Sequence, residues 1–108
     1  MTTDADTIRA AQDRAWANKL AKGFNVTDVP LEFCLLSGEI AEAFDAWRKE
    51  TGGLGGELAD VAIFLLGIAE MTGIDLQQEI GAKMAVNEAR AYQRVTGSFW
   101  EKAGVTDA

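Results

Sequence analysis

An unbroken apolar run lies near the middle of this chain of 108 residues. Residues 61–69, VAIFLLGIA, contain no polar side chain. A helix without a polar face has to be covered nearly all round, by its own chain or by a neighbouring one. The run is too short to span a membrane, which takes about 20 apolar residues. We therefore expect a buried helix, and at least a dimer, because a chain this small has few helices with which to cover it.

The remainder of the sequence predicts an all-α fold. Alanine, leucine, glutamate and lysine are frequent, the chain has one proline, and the glycines cluster at breaks. Four helices are predicted at about residues 6–21, 29–49, 56–72 and 76–95, with a tail over residues 96–108. Gly23 is expected to cap the end of the first helix, and the second begins near Asp28 with Pro30 in its first turn. With no internal repeat or domain boundary, residues 1–108 are predicted to form one domain.

Two acidic pairs stand on either side of a glycine-rich stretch. Glu39 and Glu42 are three residues apart, and Glu57 and Asp60 repeat this spacing. On a helix the spacing places both carboxylates on one face, one turn apart, where like charges repel unless a cation intervenes. The second pair projects from the start of the apolar helix toward packed neighbours, and the first lies on a partly apolar stripe. Antiparallel packing of the second and third helices is expected to bring all four together.

Carboxylates in such apolar surroundings indicate a metal site. An unpaired carboxylate in such surroundings costs on the order of several kcal/mol or takes up a proton. Four converging carboxylates are instead kept ionised by one or two divalent cations. Ligation by oxygen alone suits Mg²⁺, with Mn²⁺ as the alternative. The competing interpretation is a solvated acidic face, because helical pairs of this spacing also arise by chance in a chain with 17 acidic residues.

The stretch TGGLGGE, residues 51–57, joins the second and third predicted helices. It is not a phosphate-binding P-loop, since the lysine and hydroxyl residue of that motif are absent and no strand is predicted before it. A flexible connection is the simpler interpretation, and a mobile lid near the metal site is the alternative.

Charge and composition exclude several classes of function. A net charge of −7 without a basic cluster argues against binding to a nucleic-acid backbone. The absence of histidine removes serine–histidine and cysteine–histidine catalysis and imidazole-dependent zinc sites. The single cysteine, Cys34, cannot form an intramolecular disulfide and is expected to be a buried small hydrophobe in a reducing compartment. Without a secretory signal or a membrane span, the protein is expected to be cytoplasmic.

The fourth predicted helix carries a cationic stripe. Its members follow a helical spacing of i, i+4, i+7 and i+11 and are Lys83, Asn87, Arg90 and Arg94. Lysine and arginine side chains suit phosphate oxygens, and arginine can engage two of them at once. The alternative is an ordinary solvated basic face near a helix C-terminus, where positive charge is favoured.

These motifs together resemble the MazG-like all-α nucleotide pyrophosphohydrolases. The matching elements are the ExxE pair Glu39-Ile40-Ala41-Glu42, fourteen intervening residues, the ExxD pair Glu57-Leu58-Ala59-Asp60, and KMAVNEAR with Lys83, Asn87 and Arg90. The resemblance covers roughly residues 10–95. It departs from the family in one respect: the first pair often reads EExxE there, whereas Ser37 and Gly38 precede Glu39 here, which leaves the site leaner in charge.

The resemblance implies a four-helix protomer of the all-α NTP pyrophosphatase type that packs into a dimer or a dimer of dimers. It implies hydrolysis of a nucleoside triphosphate, often a deoxynucleotide, to the monophosphate and pyrophosphate, with Mg²⁺ held by the four acids. Glu39 or Glu42 would orient or deprotonate the water that attacks the α-phosphorus. Lys83 and Arg90 would hold phosphate oxygens, and Asn87 would meet phosphate or sugar. Nucleotide-pool house-cleaning is the family-level role, and the related phosphoribosyl-ATP pyrophosphohydrolases remain an alternative.

Recognition of the base is less well indicated. Trp16 and Trp47 are candidates for stacking on a base, although core packing is the favoured interpretation for both. In the family the first helix often contributes to the substrate pocket, so Asp13, Asn18 and Lys19 are further candidates. None of these residues identifies the base.

Two other classes of function compete with hydrolysis. A non-catalytic acidic helical module that binds a basic partner would carry the four acids exposed on its surface. A carboxylate metal-binding bundle for sensing or storage is also allowed, although the lack of histidine weakens it.

Overall fold

The computed structural model describes residues 7–90, 92–94 and 100–102. The elements of this part of the chain are α1 (Ile8–Lys22), α2 (Val29–Lys49), α3 (Leu54–Met71), α4 (Leu76–Ala89), β1 (Tyr92–Arg94) and β2 (Trp100–Lys102). Helices dominate, so the predicted all-α class is confirmed. Over the described residues, no helix is both long enough and apolar enough to span a membrane.

The boundaries of α1 and α2 follow from capping residues in the sequence. The Thr7 hydroxyl accepts a hydrogen bond from the Ala10 amide at 3.0 Å, which opens α1. Gly23 ends α1 in the left-handed region at φ 70°, as predicted. The Asp28 carboxylate accepts from the Leu31 amide at 3.1 Å and opens α2, which has its proline in the first turn.

The connection between α2 and α3 is shorter than the sequence suggested. Glu50 ends α2 with a positive φ of 53°, which turns the chain as a glycine usually does. The third helix then begins at Leu54, so Gly55 and Gly56 lie in its first turn. The prediction of a flexible connection or lid over residues 51–57 is therefore wrong for the residues from Leu54 onward.

The last predicted helix is also shorter than expected. It ends at Ala89 instead of residue 95, and Tyr92–Arg94 pairs antiparallel with Trp100–Lys102. Tyr92 and Trp100 are aromatic residues of the kind that favour strands. Arg94 consequently lies on a strand and not on the helical stripe with Lys83, Asn87 and Arg90. The rest of the predicted tail over residues 96–108 lies outside the described residues.

The chain divides into two compact units, Met1–Gln77 and Gln78–Ala108. In the first unit α3 packs against both α1 and α2. Its buried apolar side chains are Leu36, Ala43, Ala46, Ile68 and Ala69. The second unit holds most of α4 and the two paired strands. That residues 1–108 form one domain stays a prediction.

A buried glutamine holds α1 against the end of α3. Gln12 is 0 % exposed, and its Nε2 donates to Glu70 Oε1 at 2.9 Å and to the Ile74 carbonyl oxygen at 2.7 Å. Its Oε1 accepts from the Leu76 amide at 3.1 Å. Arg9 adds a second link, because its guanidinium contacts Glu70 at 2.7 Å. These bonds satisfy polar groups where α1, α3 and the start of α4 meet.

Large apolar side chains remain exposed on α2 and α3. Along α2, more than half of each side chain is exposed at Phe33, Ile40, Phe44 and Trp47. In the run 61–69, only Gly67, Ile68 and Ala69 are buried, so the expectation of a helix covered nearly all round is wrong for the chain by itself. Cys34 is exposed as well, contrary to its predicted burial. These positions lack cover because the described part of one chain supplies too few packing partners for its apolar faces.

Candidate functional site

The α2–α3 hairpin brings carboxylates from both acidic pairs together. Glu39 and Glu42 lie in the middle of α2, and Glu57 lies in the first turn of α3. One carboxylate oxygen from each of these three residues lies within 4.8 Å of the other two. Asp60, one turn after Glu57, is outside this group of three. The expected convergence of the two helices is thus present.

Two oxygens of this carboxylate cluster (Glu39, Glu42 and Glu57) are buried without a partner. They are Oε2 of Glu39 and Oε2 of Glu57, and neither has a hydrogen bond within the described part of the chain. Glu42 and Asp60 are exposed. Buried acceptors are normally satisfied, since leaving one unpaired costs about 1–3 kcal/mol in general. A ligand that supplies positive charge would remove this deficit.

The same crowding perturbs the acid–base behaviour of the cluster. Partial burial raises the pKa of Glu39 above its usual 4.5, and the negative charges of Glu42, Asp60 and Glu57 raise it further. Partial burial also raises the pKa of Glu57, with added contributions from Glu42 and Asp60. The charge of Asp60 thus raises the pKa of both partly buried carboxylates, although Asp60 lies outside the group of three.

The donor set fits a divalent cation. Carboxylate oxygens bind Mg²⁺ at about 2.1 Å, so two ligands on opposite sides of the ion lie about 4.2 Å apart. Two ligands side by side lie closer still, about 3.0 Å apart, so the oxygens of the carboxylate cluster, which lie within 4.8 Å of one another, would draw together around an ion. An all-oxygen set is the type that Mg²⁺ and Mn²⁺ prefer. Glu39, Glu42 and Glu57 can hold such an ion, and a ligand role for Asp60 stays a prediction.

A cavity of about 860 Å³ lies between α1, α3 and the first part of α2. Most of its wall is apolar, and its polar lining residues are Arg14, Asn18, Lys19 and Glu32. Lys19 Nζ donates to Glu32 Oε1 at 2.6 Å, where the side chains are 13 % and 2 % exposed. Asn18 and Lys19 are candidates predicted from the sequence, whereas Glu32 is not among them. The available signal was its spacing, because Glu32 precedes Glu39 by seven residues and shares its helical face.

The other candidates for base recognition do not line this cavity. Trp16 is partly buried on α1, and Asp13 is exposed and pairs with Arg9. Trp47 is 63 % exposed, so its predicted core role is wrong for the single chain. It stacks on Phe44 with ring centres 6.0 Å apart and lines a shallow hollow beside the α2–α3 connection.

The residues proposed for phosphate contact belong to the second compact unit. Lys83 and Asn87 are exposed on α4. Arg90, just beyond the end of α4, donates from Nη1 to Asn87 Oδ1 at 3.1 Å. This bond holds the Arg90 and Asn87 side chains together. A role for the three in phosphate binding stays a prediction.

Comparison with known proteins finds a relative in Salmonella phage PMBT28, named dATP/dGTP diphosphohydrolase. It is 44% identical over 80 residues, which amount to 74% of this chain but 25% of that protein. This chain therefore spans about a quarter of the length of the relative that it matches. No family model matches the chain. No solved structure matches it either. The resemblance to the MazG-like enzymes consequently rests on the acidic pairs and the last-helix motif quoted above.

Proposed function

We propose that this chain hydrolyses a deoxynucleoside triphosphate to the monophosphate and pyrophosphate with the help of Mg²⁺. The observation that carries the proposal is the carboxylate cluster, in which three oxygens converge and two buried oxygens lack a partner in the described chain. The name of the phage relative, a dATP/dGTP diphosphohydrolase, supports the same class of reaction. The exposed acidic face expected of an interaction module fits less well, because Glu39 and Glu57 are partly buried.

The acidic residues divide the work of the reaction. Glu39, Glu42, Glu57 and Asp60 would hold the cation. When bound, a divalent cation neutralises triphosphate charge and makes water more acidic. A glutamate of the first pair, Glu39 or Glu42, would accept the proton of the attacking water. A bond forms between the water oxygen and the α-phosphorus, the bond from that phosphorus to the bridging oxygen breaks, and pyrophosphate leaves with the bonding electrons.

The side chains on and after α4 would contact the phosphates. Lys83 and Arg90 are proposed to hold phosphate oxygens, and Asn87 to meet phosphate or sugar, because their donors match these acceptors. Lys83→Met should raise KM for the triphosphate about 10-fold, since one charge-assisted hydrogen bond is lost. Lys22→Met, at an exposed lysine that ends α1, is the matched control. Equal KM values for the two variants would contradict the role of Lys83.

The test of the reaction is pyrophosphate release from a panel of deoxynucleoside triphosphates, with Mg²⁺ and with EDTA. Loss of a group that merely orients a metal ligand lowers activity about 10- to 100-fold. Glu57 is proposed as a ligand itself, so Glu57→Gln should lower the rate of pyrophosphate release about 100-fold or more. Glu79→Gln, on the first turn of α4, is the matched control and should keep full activity. Activity retained by Glu57→Gln, or undiminished by EDTA, would contradict the assignment. If no triphosphate releases pyrophosphate, hydrolysis is rejected and a module that binds a basic protein partner becomes the favoured function. If the protein binds redox-active iron, a metal-binding bundle is favoured instead.

We also propose that the chain forms at least a dimer through α2. Phe33, Ile40, Phe44 and Trp47 are each more than half exposed and lie on one face along about 21 Å of helix. A second copy of the chain can cover this stripe, because a two-fold axis between two copies packs the stripe of one against the same stripe of the other. The stripe would form the apolar centre of the interface. A stable interface typically buries about 800 Å² of accessible surface on each partner.

Sedimentation velocity tests the dimer. Ile40→Asp should convert it to a monomer, because a charge on the stripe would be buried without a partner. Leu20→Asp, at an exposed leucine of α1, is the matched control and should leave the mass unchanged. A wild-type monomer at the concentrations used for activity would refute the proposal.

A further inference from the structure

The cavity between α1 and α3 has one polar pair set in a mostly apolar wall. Glu32 is 2 % exposed and accepts from Lys19 Nζ at 2.6 Å and from Asn25 Nδ2 at 3.1 Å. Ala11, Ala15, Phe24, Ile63 and Phe64 are among the apolar residues of the wall. The stem of Lys19 runs past Gly67 of α3, where a Cβ would lie 3.4 Å from Lys19 Cδ. The lysine stem therefore packs closely against α3 at Gly67 on its way to Glu32.

This pair has hydrogen-bonding capacity to spare. An ammonium group has three donors, and Lys19 uses one of them in the bonds that the described chain makes. Each carboxylate oxygen has two lone pairs, and Glu32 uses one on each oxygen. A buried ion pair is weak evidence of stabilisation, since apolar residues of similar size often serve as well. A pair with unused donors and acceptors on a cavity wall indicates recognition of a polar ligand edge.

The cavity also lies at a suitable place relative to the carboxylate cluster. Glu32 precedes Glu39 by seven residues on α2, and Phe64 follows Glu57 by seven on α3. Seven residues return to nearly the same helical face after a rise of about 10 Å. Because α2 and α3 run antiparallel, both steps lead away from their connection in the same direction. A nucleotide lying along α2 and α3, from the cavity to the carboxylate cluster, would place its base in the cavity and its α-phosphate at the acids.

We propose that the cavity binds the substrate base and that the Lys19–Glu32 pair selects guanine. This inference rests on the proposed hydrolysis of a deoxynucleoside triphosphate. Guanine presents two adjacent donors, N1–H and the N2 amine, to both oxygens of Glu32, and O6 accepts from Lys19 Nζ. Adenine, cytosine and thymine each present one donor beside an acceptor on the same edge, so they leave one carboxylate oxygen of Glu32 without its bond. The apolar wall, including Phe24 and Phe64, contacts the ring faces.

The first test changes the substrate and leaves the protein intact. Deoxyinosine triphosphate differs from dGTP only in lacking the N2 amine, so it retains O6 and N1–H. Wild-type kcat/KM should be about 10- to 100-fold lower for dITP than for dGTP, because a bond to a charged acceptor is lost. The values for dATP and dCTP should also lie below that for dGTP. Equal values for dGTP and dITP would overturn the proposal while leaving hydrolysis itself established.

The second test changes the protein. Glu32→Gln should lower kcat/KM for dGTP about 10-fold and bring the dGTP-to-dITP ratio close to one, because an amide accepts through one atom only. Lys19→Met should lower kcat/KM equally for dGTP and dITP, since both bases carry O6. Glu79→Gln is the control and should keep the wild-type ratio. A purely structural role for Glu32 would lower both activities and preserve the ratio, which would overturn the proposal.

A binding measurement covers the case in which no triphosphate is hydrolysed. Equilibrium dialysis with deoxyguanosine and deoxyinosine, without metal, examines the cavity alone. Preference for deoxyguanosine that Glu32→Gln abolishes would support the base site even if the hydrolase proposal failed. No binding of either nucleoside, or equal binding, would overturn it. If circular dichroism shows that Glu32→Gln is unfolded, the wild-type preference between the two nucleosides and the two triphosphates decides.

Discussion

Replacing Gln12 by leucine should lower the free energy of unfolding by about 3 kcal/mol. The glutamine is 0 % exposed, and its amide meets the Glu70 carboxylate, the Ile74 carbonyl and the Leu76 amide. Leucine fills a similar volume but has no donor or acceptor. The substitution therefore leaves two backbone groups without the partner that they have in the native fold.

The magnitude follows from those two groups. Each of these part-buried backbone groups left unpaired against an apolar side chain costs about 1–3 kcal/mol, or about 4 kcal/mol for the two together. Burying the more apolar leucine side chain recovers about 1 kcal/mol. Glu70 keeps its bond from Arg9, so the loss at that carboxylate is small. For a chain of 108 residues, a net loss of about 3 kcal/mol lowers Tm by roughly 13 °C.

Urea unfolding followed by circular dichroism measures this effect. Gln77→Leu is the control, because that glutamine is exposed and, within the described residues, accepts one hydrogen bond, from the Arg9 amide at 2.9 Å. The control should cost less than about 1 kcal/mol. A loss of stability for Gln12→Leu no larger than that of the control would refute this expectation, since the three part-buried hydrogen bonds would then contribute nothing beyond an exposed one.

Three further predictions concern pH and exposure. Burial, followed by neighbouring negative charge, raises the pKa of Glu57 above 4.5. Its contribution to the stability of the metal-free fold is therefore present below about pH 4.5 and is lost as pH rises through the raised value. Glu57→Gln should flatten this fall in a profile of Tm from about pH 4 to 8, and superimposable profiles of the variant and the wild type would contradict the repulsion. The hydrogen bond from Arg9, followed by that from Gln12, lowers the pKa of Glu70, so its contribution is present above about pH 4.5 and is lost as pH falls through the lowered value. Glu70→Gln should consequently lower Tm more at about pH 7 than at about pH 3, and an equal loss at both would argue against the charge pair. Cys34 is exposed, so a thiol reagent should modify the native protein at a rate within about tenfold of that in urea, and complete protection would show that a second chain covers it.

Local signals predicted the ends of several helices. Gly23 and Asp28 mark the end of α1 and the start of α2 because a left-handed cap and a side-chain acceptor act within a few residues of the chain. The same kind of signal was missing at Glu50, where a residue other than glycine adopts a positive φ. The shortened α4 depended on pairing between Tyr92–Arg94 and Trp100–Lys102, which no window of helical residues reveals.

Burial was harder to predict than secondary structure. The apolar run 61–69 and Cys34 were expected to be covered, but whether a helical face is covered depends on which other faces reach it. Composition shows only that cover is needed. The stripe on α2 is exposed for the same reason, because no other helix of the described chain reaches it, and a second chain is proposed to cover it.

For the site, the sequence by itself determined which residues share a helical face. Each acidic pair has both members on one face because 3.6 residues complete a turn, whatever the rest of the chain does. Only the tertiary structure decided that Glu39, Glu42 and Glu57 approach within 4.8 Å, and that Lys19 and Glu32 meet on the wall of a cavity. These distances depend on how α1, α2 and α3 cross. That geometry is set by the summed packing of many side chains from separate parts of the chain, and no local spacing specifies it.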